Sequence, residues 1–312
     1  MKLATRLVFA LLLAASAARA GVPDVPGWRD LLQRYLKVLR EKGKPWDSRF
    51  DYEQLYIDEG IWTKRRADGL GALHTQLLAV TPSELSPAER TAWAINTYNF
   101  LVIERMTLNL VVPGRKFQRY DSPLQVHGMD GSFFGAPVAI VEGRPHSLRG
   151  FERRFVYGDT AADPLADGLT PREQPADPRL AFALCKGALC SGPLLPWVYR
   201  ADSLDAQLDR ATRLALALPQ YVRANAATNE LAATNRFFEE RCDYGGPELL
   251  GVVPFLRKYG TPATQRLIAK LKPRVPGFFE PNWKLNQFDH PAPKLPTESA
   301  TEKVPATPPR SH

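Results

Sequence analysis

Two thiols and a hydroxyl fall within one short stretch of the chain, Cys185-Lys186-Gly187-Ala188-Leu189-Cys190-Ser191. A thiol or hydroxyl nucleophile needs a base within hydrogen-bond reach, ordinarily histidine, which titrates near neutrality. No histidine lies in this stretch, so His74, His127 or His146 would have to reach it from another segment. Cys190 and Cys185 are therefore the nucleophile candidates. The two thiols are too widely spaced for thioredoxin-like exchange, which uses C-x-x-C. His74 has no second ligand at metal spacing, and a lone His127 in a turn with Asp121 and Asp130 makes a poor metal corner. No metal and no cofactor are expected.

A second group of polar residues sits where exposure is least. In Ser86-Pro87-Ala88-Glu89-Arg90-Thr91-Ala92-Trp93-Ala94-Ile95-Asn96-Thr97-Tyr98-Asn99, a hydroxyl cap, a proline at the first helical position and a glutamate three residues on mark a helix start. From 92 to 103 nearly every side of that helix is apolar, so it should be enclosed on most faces. An unpartnered buried amide costs roughly 1–3 kcal/mol, so Asn96 and Asn99, three apart on one face, should be bonded to something specific. A ligand is one answer. The backbone of a neighbouring loop is the other and the commoner one.

The elements that must position these groups follow from pattern. Apolar residues from Trp28 to Leu39 recur at helical spacing, which predicts an amphipathic helix over 27–42 stopped by Gly43 and Pro45. Helical segments are expected at 50–62 and 70–78, with a capping box beginning at Thr81. Residues 124–143 change character: a turn at Asp130-Gly131 and a β-rich run from 137 to 141 closed by Glu142-Gly143 predict a small antiparallel sheet or hairpin. Ser147 caps a helix expected over 148–157. Residues 158–176 read as an exposed loop, and 177–185 as a polar start to an apolar run that fits a buried strand or a helix start equally well. The 186–196 segment, with its glycines and prolines, is a loop suited to a site or to tight packing. Asp202 or Ser203 caps a helix that Pro219 stops. Helices at 249–259 and 263–271 precede an aromatic return at 273–286.

Three cysteines are too few for a disulfide scaffold, and Cys185 can pair with Cys190 only across a loop. Residues 1–20 have the form of a signal peptide: Lys2 and Arg6, an apolar run over 7–15, and Ala18-Arg19-Ala20 before Gly21. Its removal would lower the formal charge from +8 to +5. The remaining bases are scattered among acids, so nucleic acid is not an expected partner. No later stretch is long and apolar enough to anchor in a membrane. A Pro- and Thr-rich tail from 287 to 312 is expected to be disordered.

Several segments, taken in order, resemble the family catalogued as domain of unknown function 547. Its members carry F-W-I-N-x-Y-N, then I-E-H, then D-P-R-x-H-F-A-L-x-C-G-x-x-S-C-P, then F-x-x-Y-x-x-D-F-G, and finally Y-D-W-x-L-N. The first resembles Trp93 to Asn99, keeping Asn96, Tyr98 and Asn99, and the second resembles Phe151-Glu152-Arg153 with the histidine replaced. The third is similar to Asp177 through Leu184, with Ala181 where the family has its other histidine. The last two are similar to 237–245 and to Asn282-Trp283-Lys284-Leu285-Asn286. Without gaps, the family cysteines fall on Lys186 and Ser191, and a shift by one restores Cys185 and Cys190.

The typical family pattern resembles a papain- or transglutaminase-like Cys, His and Asn arrangement. Arg153 cannot act as a base, because arginine stays protonated at any ordinary pH; the resemblance leaves Glu152 to join Cys190 and Cys185 as a catalytic candidate, provided burial raises its pKa. The resemblance thus implies a divergent member lacking the usual acid-base equipment, a DUF547-type domain over 21–286. Its polar centre of Asn96, Tyr98, Asn99, Glu152, Arg153, Arg179, Lys186 and Ser191 would suit a ligand, and Arg153 beside the loop an anionic one. A plainer expectation pairs Glu152 with Arg179 as a brace. The fold class expected is α+β, a mostly helical single domain with a small antiparallel sheet. The expected function is an exported, periplasmic or secreted protein, a non-catalytic binding or scaffolding domain with an envelope-associated ligand or protein as partner. The alternative is a thiol-dependent hydrolase or acyl transferase using Cys185 or Cys190.

Overall fold

The first apolar stripe is shorter as a helix than its spacing suggests. In a computed structural model describing residues 25–61, 68–115, 118–128, 131–167 and 172–290, helix α1 spans Pro26–Tyr35 and buries Trp28, Leu31, Leu32 and Tyr35. The chain then extends as β1 (Leu36–Leu39), which pairs antiparallel with β2 (Asp47–Phe50), Leu36 opposite Phe50. Leu36 and Val38 fit a two-residue period while Leu32, Leu36 and Leu39 fit a helical one. Sequence spacing alone therefore carried the expected helix too far, to residue 42. The expected signal peptide at 1–20, the end of the 50–62 segment, Asp130 and the tail beyond 290 lie outside the described residues.

Asp51 caps α2 (Tyr52–Asp58), its side chain accepting from the Gln54 N–H at 3.1 Å. Helix α3 (Gly69–Leu78) buries Leu70, Leu73 and Leu77. The capping box expected at Thr81 is absent: a single 3₁₀ turn over Pro82–Glu84 stands there with no side-chain cap. The one at Ser86 is present. Glu89 N–H donates to the Ser86 hydroxyl at 3.4 Å and Ser86 N–H donates to the Glu89 carboxylate at 2.9 Å, opening α4 (Pro87–Leu108). Every residue from 92 to 103 is buried, so α4 is the axis about which the larger apolar core collects.

After α4 come two hairpins, β3 (His127–Gly128) with β4 (Gly131–Ser132) and β5 (Pro137–Val141) with β6 (Arg144–Ser147). Glu142 and Gly143 turn the second with φ of +48° and +75°, the backbone of a tight right-twisting hairpin. Ser147 caps α5 (Leu148–Phe151), its side chain accepting from Gly150 N–H at 2.9 Å. The helix expected to continue regularly to 157 instead widens into a π turn over Glu152–Val156.

The ambiguous 177–185 run resolves into a short helix, α6 (Leu180–Ala183), and α7 (Leu204–Leu216) follows without a side-chain cap from Ser203. Strands β7 (Val222–Asn225) and β8 (Glu230–Thr234) pair antiparallel, then α8 (Arg236–Glu239), α9 (Val252–Tyr259) and α10 (Pro262–Leu271) lead to β9 (Gly277–Phe279). Strand β9 joins β8 in parallel, so this sheet is mixed while the others are antiparallel pairs. A second apolar core gathers Tyr221, Leu231, Phe237, Tyr244 and the inner face of α9. The short α6 serves both cores: Leu180 and Ala183 face the first and Phe182 the second. The fold is a mostly helical α+β domain with small sheets.

Candidate functional site

Both buried amides of α4 find partners in the backbone of neighbouring segments. Asn96 accepts from Tyr199 N–H at 2.9 Å and donates to Tyr199 C=O at 2.8 Å. Asn99 accepts from Cys185 N–H at 2.7 Å and donates to Ala183 C=O at 3.0 Å. Each side chain thus imitates one rung of a strand ladder, and Asn99 uses it to hold the start of the cysteine loop against the helix. Between them, the Tyr98 hydroxyl donates to Glu152 at 3.4 Å.

Glu152 is buried completely at the start of the π turn. Lys186 Nζ stands 3.0 Å from one carboxylate oxygen and the Arg149 guanidinium 3.2 Å from the other. Burial by itself would raise the Glu152 pKa. The two cations and the Lys186 hydrogen bond outweigh it and hold the carboxyl well below its usual range. The condition for Glu152 to act as a base, a raised pKa, is thus reversed. Lys186, equally buried, has its own pKa lowered by burial and then by Arg236, against the pull of Glu152.

The expected brace between Glu152 and Arg179 is not formed. Arg179 instead reaches Asp177 at 2.7 Å, Asp205 at 2.8 Å and Asp209 at 2.5 Å, tying the start of α6 onto α7. Arg153 pairs with Asp159 at 3.2 Å and does not join the centre. Arg149, which sequence reasoning passed over, takes the inner place; its spacing of three from Glu152 was the available signal.

The loop after Cys185 is pinned from both sides. Gly187 turns it with φ +71°, and its C=O accepts from Asn286 N–H at 2.9 Å. Leu189 N–H donates to Lys284 C=O at 2.8 Å, and Ser191 donates to Ala188 C=O at 2.6 Å. Both loop thiols are free and buried. Burial pushes the Cys185 thiol up to about 11 despite hydrogen bonds with Gly187, Ser191 and Tyr52. Burial also raises Cys190, against the nearby Arg236. His146 lies against the Phe155 ring and His74 bonds Glu104 at 2.7 Å, while His127 is exposed. Among the described residues no group of histidine, cysteine and carboxylate side chains could hold a metal ion.

On the far side of Cys190 lies a narrow cleft whose walls include Phe182, Tyr221, Arg236, Phe237 and Glu240. Its empty space is about 310 Å³, the solvent at its mouth included. Beyond it Arg172 clamps Glu240 at 2.9 Å together with Asp243, and lies 3.8 Å above the Tyr157 ring. Sequence reasoning missed this face. Arg236 directly precedes the family-like segment at Phe237, and its i,i+3 partner Glu239 was the only local hint of it.

Residues 82–214 match the family described as Protein of unknown function, DUF547. No curated protein and no solved structure gives a significant match. The matched stretch runs from the 3₁₀ turn before α4 into α7 and so contains Asn96, Tyr98, Asn99, Glu152, Lys186 and both loop thiols. Arg236 and the return at 284–288 lie beyond it. Residues 82–214 are thus similar to this family, and the residues they share with it in order meet at one buried centre.

Proposed function

We propose that the protein is an exported, non-catalytic binding or scaffolding domain of the cell envelope. The observation that carries this reading is that Glu152 is already neutralised by Lys186 and Arg149 inside the centre. With both asparagines bonded to backbone as well, neither the carboxylate nor the amides of the centre are left open to a substrate. The groups that bear most on the two thiols are burial, hydrogen-bond donors and Arg236, and none is an imidazole. A thiol with a raised pKa is a poor nucleophile at neutral pH. The hydrolase or acyl-transferase alternative draws support only from Cys190 lining the cleft beside Arg236.

Export rests on the cationic start, the apolar run and the Ala18-Arg19-Ala20 site at the N-terminus. No helix among the described residues is long and apolar enough to cross a membrane. Two measurements test the reading. Cell fractionation with N-terminal sequencing is expected to find the mature chain outside the cytoplasm, beginning at Gly21. Iodoacetamide near pH 7 is expected to label Cys185 and Cys190 no faster than the protein unfolds. A cytoplasmic full-length chain would remove the export claim, and labelling within seconds would restore the thiol enzyme.

A further inference from the structure

Two buried residues that line the cleft beside Cys190 each carry a donor atom left without a partner. Arg236 is 7 % exposed and Tyr221 3 %, yet Nη1 of the first and the hydroxyl of the second make no hydrogen bond. Both residues line the same cleft. A buried polar group left without a partner costs roughly 1–3 kcal/mol, so a pair of them in the walls of one cleft is a costly way merely to fill them.

The remainder of Arg236 is already held. Its Nη2 lies 3.5 Å from Glu239 and its guanidinium carbon 5.6 Å from the Trp283 ring centre, while its backbone N–H donates to the Thr234 hydroxyl at 3.4 Å. The side chain, which also lies within hydrogen-bond reach of Cys190, is therefore fixed with Nη1 unpartnered, the arrangement a recognition arginine needs. Tyr221 supplies a second donor from β7's approach, and Phe182 and Phe237 supply flat apolar walls.

We infer that this cleft binds a small monocarboxylate, its oxygens accepting from Arg236 Nη1 and the Tyr221 hydroxyl and its apolar body lying against Phe182 and Phe237. A singly charged group fits better than phosphate. Glu240 also lines the cleft, and the negative charge that Arg172 leaves on it repels a doubly charged anion more than a singly charged one. The narrow cleft, whose empty space of about 310 Å³ includes the solvent at its mouth, has room for the carboxylate end of a small acid or of a chain and not for an enclosed ligand. This inference rests on the binding reading above and names the ligand class that reading leaves open.

The test titrates the full mature chain, labelled with nitrogen-15, with phenylacetate, phenylacetamide and acetyl-Gly-Phe bearing a free carboxylate, following the amide signals of residues 190, 221 and 236. Either acid is expected to shift these signals saturably, with the amide binding at least tenfold more weakly. Binding of phenylacetate alone marks a free acid as the ligand; binding of the peptide alone marks a chain terminus. Tyr221→Phe keeps the fold, because the hydroxyl it removes has no partner, and is expected to weaken binding several-fold. Arg236→Gln is expected to weaken it tenfold or more. Equal binding of acid and amide, or undiminished binding by Tyr221→Phe, overturns the inference. Absence of binding by both acids overturns it too: slow alkylation of Cys190 then leaves the binding reading standing, and fast alkylation removes both.

Discussion

Glu152 meets more positive charge than it carries, and that imbalance governs the residue-scale behaviour of the molecule. Its carboxyl is held down to about 2 by Lys186 and Arg149 against the upward push of burial. A depressed carboxyl contributes stability that is complete above its ordinary value of 4.5 and disappears as pH falls toward about 2. The unfolding free energy of the wild type should therefore drop through this window, measured by urea titration at several pH values, and Glu152→Gln should lack that component of the slope. Asn99→Leu removes the partner of two buried backbone groups, at roughly 1–3 kcal/mol each. Its unfolding free energy should fall by roughly 2–6 kcal/mol on the same assay. The role of Asn96 and Asn99 was legible because an amide inside an apolar helix must find a partner. The partner of Glu152 was not, since long charged side chains choose among neighbours that only the tertiary fold supplies, and Arg179 found three aspartates nearer.

At the scale of elements, close approach decides what the cysteine loop tolerates. A Cβ on Gly192 would collide with the Phe182 C=O, and the backbone there is already committed to α6. Gly192→Ala should destabilise by about 1–3 kcal/mol, the usual cost of overpacking, seen as a lower melting temperature. Gly143→Asn is the contrast: φ is +75° but nothing stands within 4 Å, so the change should stay within about 0.5 kcal/mol. The start of α4 was readable to the residue because its cap is chemical. The end of α1 was not, because Leu36 satisfies a helical and a strand period at once. The π turn at Glu152 has no sequence mark that we can identify.

On the scale of the whole molecule, the C-terminal return closes the structure over the loop. Leu285, 4 % exposed, belongs to the larger core although it lies beyond the second one in sequence, and bridges to Ala188. Asn286 C=O also accepts from Phe50 N–H at 3.0 Å, so β2 and the cysteine loop share one clamp. Leu285→Ala should cost about 2–5 kcal/mol and speed hydrogen exchange at the Leu189 N–H, read by mass spectrometry. The return was foreseeable from Trp283 and its neighbours, whereas the surface it covers depended on how two cores share α6.

The claim on which the rest depends is that the polar centre braces the fold rather than performing chemistry. The unfolding free energy of Glu152→Gln at pH 7 tests it most directly. A structural brace predicts a loss of about 3–5 kcal/mol, because Lys186 and Arg149 are left buried with an uncompensated charge. An unchanged or increased stability, the behaviour of a group held under strain for function, would contradict the account.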